Sequence, residues 1–358
     1  MPTNKFIEFT DAKRPLIDKH IQALFKQQRV EARNQNEVYY DLIKQLGKLI
    51  GRGGKRMRPL LCLLAYESYG GRKKAIMPVA VGQELLHAFF LIHDDIIDRD
   101  YHRWGGHNIL GVYFERYSQT MQARDALHAA EAQALLAGDA CAAMANEALL
   151  VSNFPAELLL CAQRLQQQTI LTEVGGEVAD TAYPFNETMP TEAQILQVYR
   201  DKTASYSLKL PLQLGALLAG ANTTELDYLQ QFAYHHGIAF QLQDDLLGVF
   251  GSEHKIGKPV GTDLREGTRT VLVSRTLQNA SPAARIQFLR ILGADTITDQ
   301  ALVQAQTIMI EAGARDYVDA LAHKYTEQSL EFLIKTSMSE AGKQRLIDLV
   351  GLLANRDR

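Results

Sequence analysis

Apolar residues recur three and four positions apart along most of the chain, in runs broken by glycine, proline and charge. Leu16, Ile17, Ile21, Leu24 and Phe25, then Tyr39, Leu42, Ile43, Leu46 and Leu49, mark two helices separated by the polar stretch Glu31 to Asn36. Gly51, Gly53 and Gly54 stop the second, and Pro59 suits the first turn of a helix over Leu60 to Tyr69. A Gly70-Gly71 break precedes a predicted helix over Ala75 to Asp98, followed by a loop from Asp100 to Gly106. Ala126 to Leu150 reads as a long Ala-rich helix. Ala156 to Asp180 reads as another, and its Gly175-Gly176 implies a kink or a close helix contact. Thr191 with Gln194 forms a capping-box pattern opening a helix that runs through Tyr199 to Leu218. Thr223 or Thr224 is the candidate cap of the next, and Asp299 to Glu311 and Ala314 to Leu333 lie among the closing helices. Strand-like alternation persists nowhere, and no internal repeat appears. The pattern predicts an all-α fold, a large helical bundle around a central cavity, with residues 1–358 as a single domain.

Two of these apolar helices are interrupted by carboxylates. Leu91 to Asp100 breaks into Asp94, Asp95, Asp98 and Asp100, with Asp94 and Asp98 one turn apart on one helix face. Asp244-Asp245 interrupts another helix within FQLQDD. Carboxylates in apolar surroundings are costly unless paired or metal-bound, so two such sites suggest two walls of one metal-filled cavity. Several carboxylates favour a hard cation such as Mg²⁺, which binds a few carboxylates together with waters and substrate phosphates. Lys55, Arg58, Arg103, Lys202, Lys258, Arg265 and Arg269 lie near helix breaks. The loop from Gly51 to Pro59 carries Lys55, Arg56 and Arg58 into a helix start, which leaves two readings, a phosphate cradle or a solvated basic turn. Adjacent His235 and His236 point to different sides of a helix and read as structural.

Composition narrows the classes. The chain has 358 residues, 46% hydrophobic and 22% charged, enough for a large core. Its 38 Lys plus Arg against 41 Asp plus Glu give a net charge of −3, so no global field draws nucleic acid or an acidic membrane. Any anion site is therefore a local cluster. Cys62, Cys141 and Cys161 sit in apolar helical patterns without metal spacing and read as buried thiols of a reducing compartment. The start has no apolar signal core and there is no long uncharged apolar run, so the expectation is a soluble cytoplasmic protein without stable membrane insertion. Local cations, carboxylates and an apolar interior together suit a substrate anionic at one end and greasy along the rest, such as a prenyl diphosphate.

Six blocks carry a family resemblance: GGKRMRP at 53–59, ELLHAFFLIHDDIID at 84–98, LLAGD at 135–139, KT at 202–203, FQLQDD at 240–245 and GKPVGTDLREG at 257–267. In this order they resemble the trans-polyprenyl diphosphate synthases, from about Gly53 to Gly267. The resemblance implies the isoprenoid synthase fold, a homodimer, and three Mg²⁺ ions. It implies that Asp94 and Asp98 ligate two ions and Asp244 the third. Arg103, Lys202 and Lys258 match residues that grip an allylic diphosphate; Lys55, Arg58 and His87 match the isopentenyl diphosphate anchor; Thr203 and Gln241 match groups facing the allylic cation. The implied activity is head-to-tail condensation of these two diphosphates by a trans-prenyltransferase.

Phe89 and Phe90 lie five and four residues before Asp94, roughly 6 to 7.5 Å back along a helix. In the resembling family two aromatics here accompany farnesyl products, and a small residue accompanies longer ones; the competing reading is two core phenylalanines. Four positions depart from the family pattern. Trp104 follows Arg103 where a second arginine is usual, Gly248 stands where the second acidic motif often ends in aspartate, Thr268 replaces a common lysine, and Glu177 replaces a usual glutamine. Geranylgeranyl diphosphate synthase and a non-catalytic partner subunit are the alternatives. A class I terpene cyclase is disfavoured by Lys55, Arg58, His87 and Asp244-Asp245.

Overall fold

The computed structural model describes residues 4–72, 74–251 and 260–354. They are almost entirely helical, as the periodicity predicts. The chain divides into two compact units, Met1–Leu165 with Pro211–Ala221, and Gln166–Leu210 with Asn222–Arg358.

In the first unit, helices α1 (Lys5–Gln35) and α2 (Glu37–Arg52) pack together, and the polar stretch expected to separate them is helical up to one residue. Asn36 alone makes the break, in an extended conformation; its backbone N–H closes the last turn of α1 while its side chain accepts from Tyr39 N to open α2. Helix α3 (Met57–Ser68) packs on α4 (Ile76–Ile97), which packs in turn on α6 (Ala123–Leu150). Ile17, Ile43, Leu46, Leu60, Leu64 and Leu85 are fully buried here. By length and composition α4 could cross a membrane, yet 67% of its apolar window is buried. Between α4 and α5 (Ile109–Tyr117), where a loop is expected, β1 (His102–Arg103) and β2 (Gly106–His107) form a small antiparallel hairpin. Two residues are too short a run to show alternation.

Helix α7 (Ala156–Ala182) passes from the first unit into the second. The expected capping box at Thr191 and Gln194 is present and opens α8 (Glu192–Val198). The helix expected through Leu218 does not stay α-helical. Tyr199–Lys209 takes the wider π register before α9 (Leu210–Leu218), with Leu210 N–H donating five residues back to Ser205 O. Pro211 accounts for the change: its ring has no N–H and would clash with the carbonyl four residues before it, which the wider register moves away. Helix α10 (Thr223–Phe250) is capped by Asn222, not by either threonine, because its amide oxygen accepts from Glu225 N. Helix α10 packs on the π segment and on α15 (Ala314–Lys335), which follows α11 (Thr262–Glu266), α12 (Val271–Asn279), α13 (Pro282–Ile291) and α14 (Asp299–Glu311). Leu242, Leu264, Val271, Phe288 and Met309 centre this core.

Cys62 and Cys141 are buried thiols, and burial pushes both up to about 12. Cys161 is exposed, against expectation, because it lies on the outward side of α7 beside Leu160, itself 71% exposed. His236 is buried and stacks on Phe232, which bears out a structural role for it.

Candidate active site

In the first unit the chemistry gathers at the C-terminal end of α4. Asp98 N–H donates to Asp94 O at 2.8 Å, so the last turn is intact and the two carboxylates stand one turn apart, Asp94 half-buried and Asp98 exposed. Asp95 turns inward and is 1% exposed; Arg103, on the hairpin, donates from Nε at 2.8 Å and from its terminal nitrogen at 2.5 Å to Asp95 Oδ1. Burial pushes the Asp95 carboxyl up to about 6, against the opposing pull of Arg103. Arg103, expected to grip a diphosphate, thus has a protein partner as well.

Nearby, Arg56 is 4% exposed and donates to Asp18 Oδ1 at 2.8 Å, Glu84 Oε1 at 2.7 Å and Ile50 O at 2.7 Å. This buried lock fixes the basic loop whose neighbours, Lys55 and Arg58, are exposed and half-buried. Burial first, then the positive charges of Arg58, Arg103 and Arg56, hold His87 well below the ordinary histidine range, so it is neutral. The expected anchor residues Arg58 and His87 therefore share one electropositive neighbourhood with Arg103. Phe89 and Phe90, one turn deeper on α4, pack with ring centroids 4.8 Å apart.

In the second unit the π segment carries Lys202 and Thr203. Lys202 Nζ lies 2.8 Å from both Glu177 Oε2 and Asp180 Oδ2 of α7. The backbones approach so closely that a Cβ at Gly176 would stand 2.6 Å from Lys202 N, which is the close helix contact the glycine pair implied. Thr203 Oγ1 donates to Gln241 Oε1 at 3.2 Å, and Gln241 Nε2 donates to Asp245 Oδ1 at 3.0 Å. Tyr199 OH donates to Asp245 Oδ2 and accepts from Val271 N. Burial, then the charge of Asp263, holds Asp245 well above the usual carboxylate range. Asp244 is exposed one residue away. A Cβ at Gly248 would lie 3.0 Å from Asp263 Oδ2, so a carboxylate from another helix stands beside the position where the second acidic motif lacks one. Lys258 lies outside the described residues.

Among the described residues no three His, Cys, Asp or Glu side chains converge to hold a metal ion. Asp94 and Asp98 nevertheless offer hard oxygen donors on one face, and Mg²⁺ needs only one or two carboxylates when substrate phosphates and waters complete its shell. The donor chemistry fits that ion. Sequence reasoning placed Asp95 among the carboxylates at the α4 end without its role as partner of Arg103, and missed the supporting residues Asp18, Glu84, Asp180 and Tyr199. Of these only Asp180 left a trace, as an acidic residue three positions after Glu177 on the same helix face.

Helical architecture, a paired-aspartate helix end and a basic cluster around a neutral histidine define a transferase of the isoprenoid-synthase fold. The polyprenyl synthetase family model matches residues 40–309, and the chain belongs to that family. The (2E,6E)-farnesyl diphosphate synthase of Mycobacterium tuberculosis is 31% identical over 306 residues, 85% of this chain and 80% of its own. The geranylfarnesyl diphosphate synthase of Aeropyrum pernix is 32% identical over 308 residues, 84% of this chain and 90% of its own. The geranylgeranyl pyrophosphate synthase of Corynebacterium glutamicum, solved with isoprenyl diphosphate and magnesium, is 27% identical with a TM-score of 0.88, covering 99% of this chain and 100% of that one. The relatives are short-chain trans-prenyl diphosphate synthases that differ in the product they are named for.

Proposed function

We propose that the protein condenses isopentenyl diphosphate with an allylic diphosphate head-to-tail and releases farnesyl diphosphate. In this reading Lys55, Arg58 and neutral His87 hold isopentenyl diphosphate, and Arg103, Lys202 and Lys258 hold the allylic diphosphate. Asp94 and Asp98 would hold two Mg²⁺ ions and Asp244 a third, and the ions would supply charge neutralisation to the diphosphate leaving group. Cationic side chains stabilise the leaving group while the allylic C–O bond breaks. Gln241, oriented by Thr203 and Asp245, presents its carbonyl dipole to the developing cation. The isopentenyl double bond then forms the new C–C bond, and the proton lost goes to the departing diphosphate. An apolar, water-excluded surround protects the cation. The whole of 1–358 acts as one synthase domain, a reading supported by a family match whose span crosses both units. It works in the cytoplasm as a homodimer, and the exposed stripe Leu160, Leu171, Val174 and Val178 along α7 is the face offered to a second copy.

The observation that carries product length is the Phe89–Phe90 pair, one turn below Asp94, with Phe90 7% exposed. A growing tail meets these rings after three isoprene units. Purified protein with Mg²⁺, labelled isopentenyl diphosphate and dimethylallyl, geranyl or farnesyl diphosphate tests the reading. A C15 product is expected, and Phe89→Ala is expected to lengthen it on chromatography; an unchanged length removes the Phe89–Phe90 pair as the limit on chain length. The likeness to the Corynebacterium glutamicum enzyme favours a geranylgeranyl product as the second reading, which the same chromatogram resolves. No incorporation with any acceptor would instead favour a non-catalytic partner subunit.

A further inference from the structure

Trp104 sits at a backbone position that few large side chains occupy. Trp104 and Gly105 form the two-residue turn of the β1–β2 hairpin, with φ of 51° and 73°, so both are left-handed. Asparagine or glycine is the usual occupant, and the left-handed conformation is strained for an L residue with a large side chain. The indole is pressed onto the basic loop: a Cβ on Gly53 would lie 2.5 Å from Trp104 Cγ and 2.6 Å from Cδ2, so only glycine fits beneath it. A Cβ on Gly54 would lie 3.8 Å from Trp104 Cζ2 at the far edge of the ring. Beside it, Arg52 at the end of α2 donates to His107 O at 2.5 Å and lies over Gly106, fastening the other strand of the hairpin to the same chain break. The hairpin is thus docked on residues 52–54, immediately before Lys55 and Arg58.

We propose that Trp104 is a positioning residue for isopentenyl diphosphate: it braces the Gly53–Arg58 loop so that Lys55 and Arg58 present their charges to that diphosphate. The proposal rests on the reading that Lys55, Arg58 and His87 anchor isopentenyl diphosphate. Arg103 does not depend on this brace, because two N–H bonds to Asp95 already orient it. Loss of the indole therefore weakens one substrate and spares the other.

The chain has one tryptophan, so its emission reports this contact alone. Titration of the full-length protein with isopentenyl diphosphate, without allylic substrate, is expected to shift the emission in step with calorimetric binding. Binding without an emission change would overturn the brace. Trp104→Ala is expected to raise KM for isopentenyl diphosphate about tenfold with KM for the allylic diphosphate held within about twofold, and Trp104→Phe to restore most of it. A folded Trp104→Ala protein, checked by circular dichroism, that changes neither KM or raises both equally would also overturn it, as would failure of Trp104→Phe to rescue. Lys55→Ala separates the two ideas: it is expected to abolish calorimetric binding, whereas full retention of affinity would defeat the anchor reading itself, and the brace with it.

Discussion

The two units place reactive side chains by different means. In the first, the charged candidate residues stand at or beside chain breaks, the end of α4, the loop after α2 and the hairpin, while His87, Phe89 and Phe90 lie inside α4. All three non-glycine residues with positive φ among the described residues, Arg56, Arg99 and Trp104, lie at those breaks. In the second unit the described candidates, Lys202, Thr203, Gln241 and Asp244, sit within helices, and the departure from regular geometry is one of register, the π segment over Tyr199–Lys209. Strained turns are held by contacts remote in sequence, such as Arg56 to Asp18 and Glu84. The π segment is held by one proline and by a hydrogen-bonded chain through Gln241 and Asp245. Groups at turns can be moved by breaking a single clasp. Groups within a helix move only with the helix.

The largest test of this contrast removes chemistry and leaves structure. Asp94→Asn keeps the shape of the α4 end but removes a metal-binding charge, and is expected to lower kcat/KM about a thousandfold with little change in thermal midpoint. A loss below tenfold, measured by label incorporation, would take Asp94 out of the metal site.

The next removes a clasp. Arg56→Ala leaves Glu84, 2% exposed, buried without its cation, and breaking a buried pair in this way is expected to destabilise by about 3 kcal/mol. Urea denaturation checks it. A change under about 1 kcal/mol would mean the basic loop is held by something other than Arg56.

How much of this was legible in sequence follows the same division. Helix existence and the paired aspartates could be read, because periodicity and carboxylates in an apolar run are local signals. The capping box at Thr191 was legible for the same reason. Asn36 as the α1–α2 break and Asn222 as a cap were not, since neighbouring polar residues compete for the position and only the folded backbone chooses. The π register escaped because Pro211 was read as part of an ordinary helix. The pairing of Asp95 with Arg103 and that of Tyr199 with Asp245 escaped because the approach of each partner depends on tertiary packing. Trp104 was noticed only as a missing arginine; its contact with Gly53 is a property of the fold.

A third test uses pH. His236 is fully buried, neither ring nitrogen has a hydrogen-bond partner, and burial lowers it to about 4 from an ordinary value near 6.5. Between those values the unfolded chain binds a proton that the folded chain refuses, so unfolding free energy falls as pH falls through this window. Its contribution is complete above about pH 6.5 and lost as pH approaches about 4, a change of about 3 kcal/mol. His236→Phe is expected to flatten this part of the stability–pH curve while leaving neutral-pH activity within about twofold. An unaltered curve would show that other groups set the acid limit of the second unit.

The smallest expected effect concerns Glu177. Lys202 Nζ has two carboxylate partners at equal distance, and its side chain is 27% exposed against 16% for Glu177. Glu177→Gln removes one negative charge while keeping the side chain's shape and a possible hydrogen bond, and Asp180 remains to orient the ammonium. A partly solvated pair of this kind contributes at most about 1 kcal/mol, so the thermal midpoint is expected to change little. With one carboxylate fewer competing for it, Lys202 offers more of its charge to an incoming diphosphate, and KM for the allylic substrate is expected to fall about two- to threefold at unchanged kcat. A rise in KM would mean that the second carboxylate is needed to aim Lys202, and the π segment would then resemble the strained turns of the first unit in depending on a clasp.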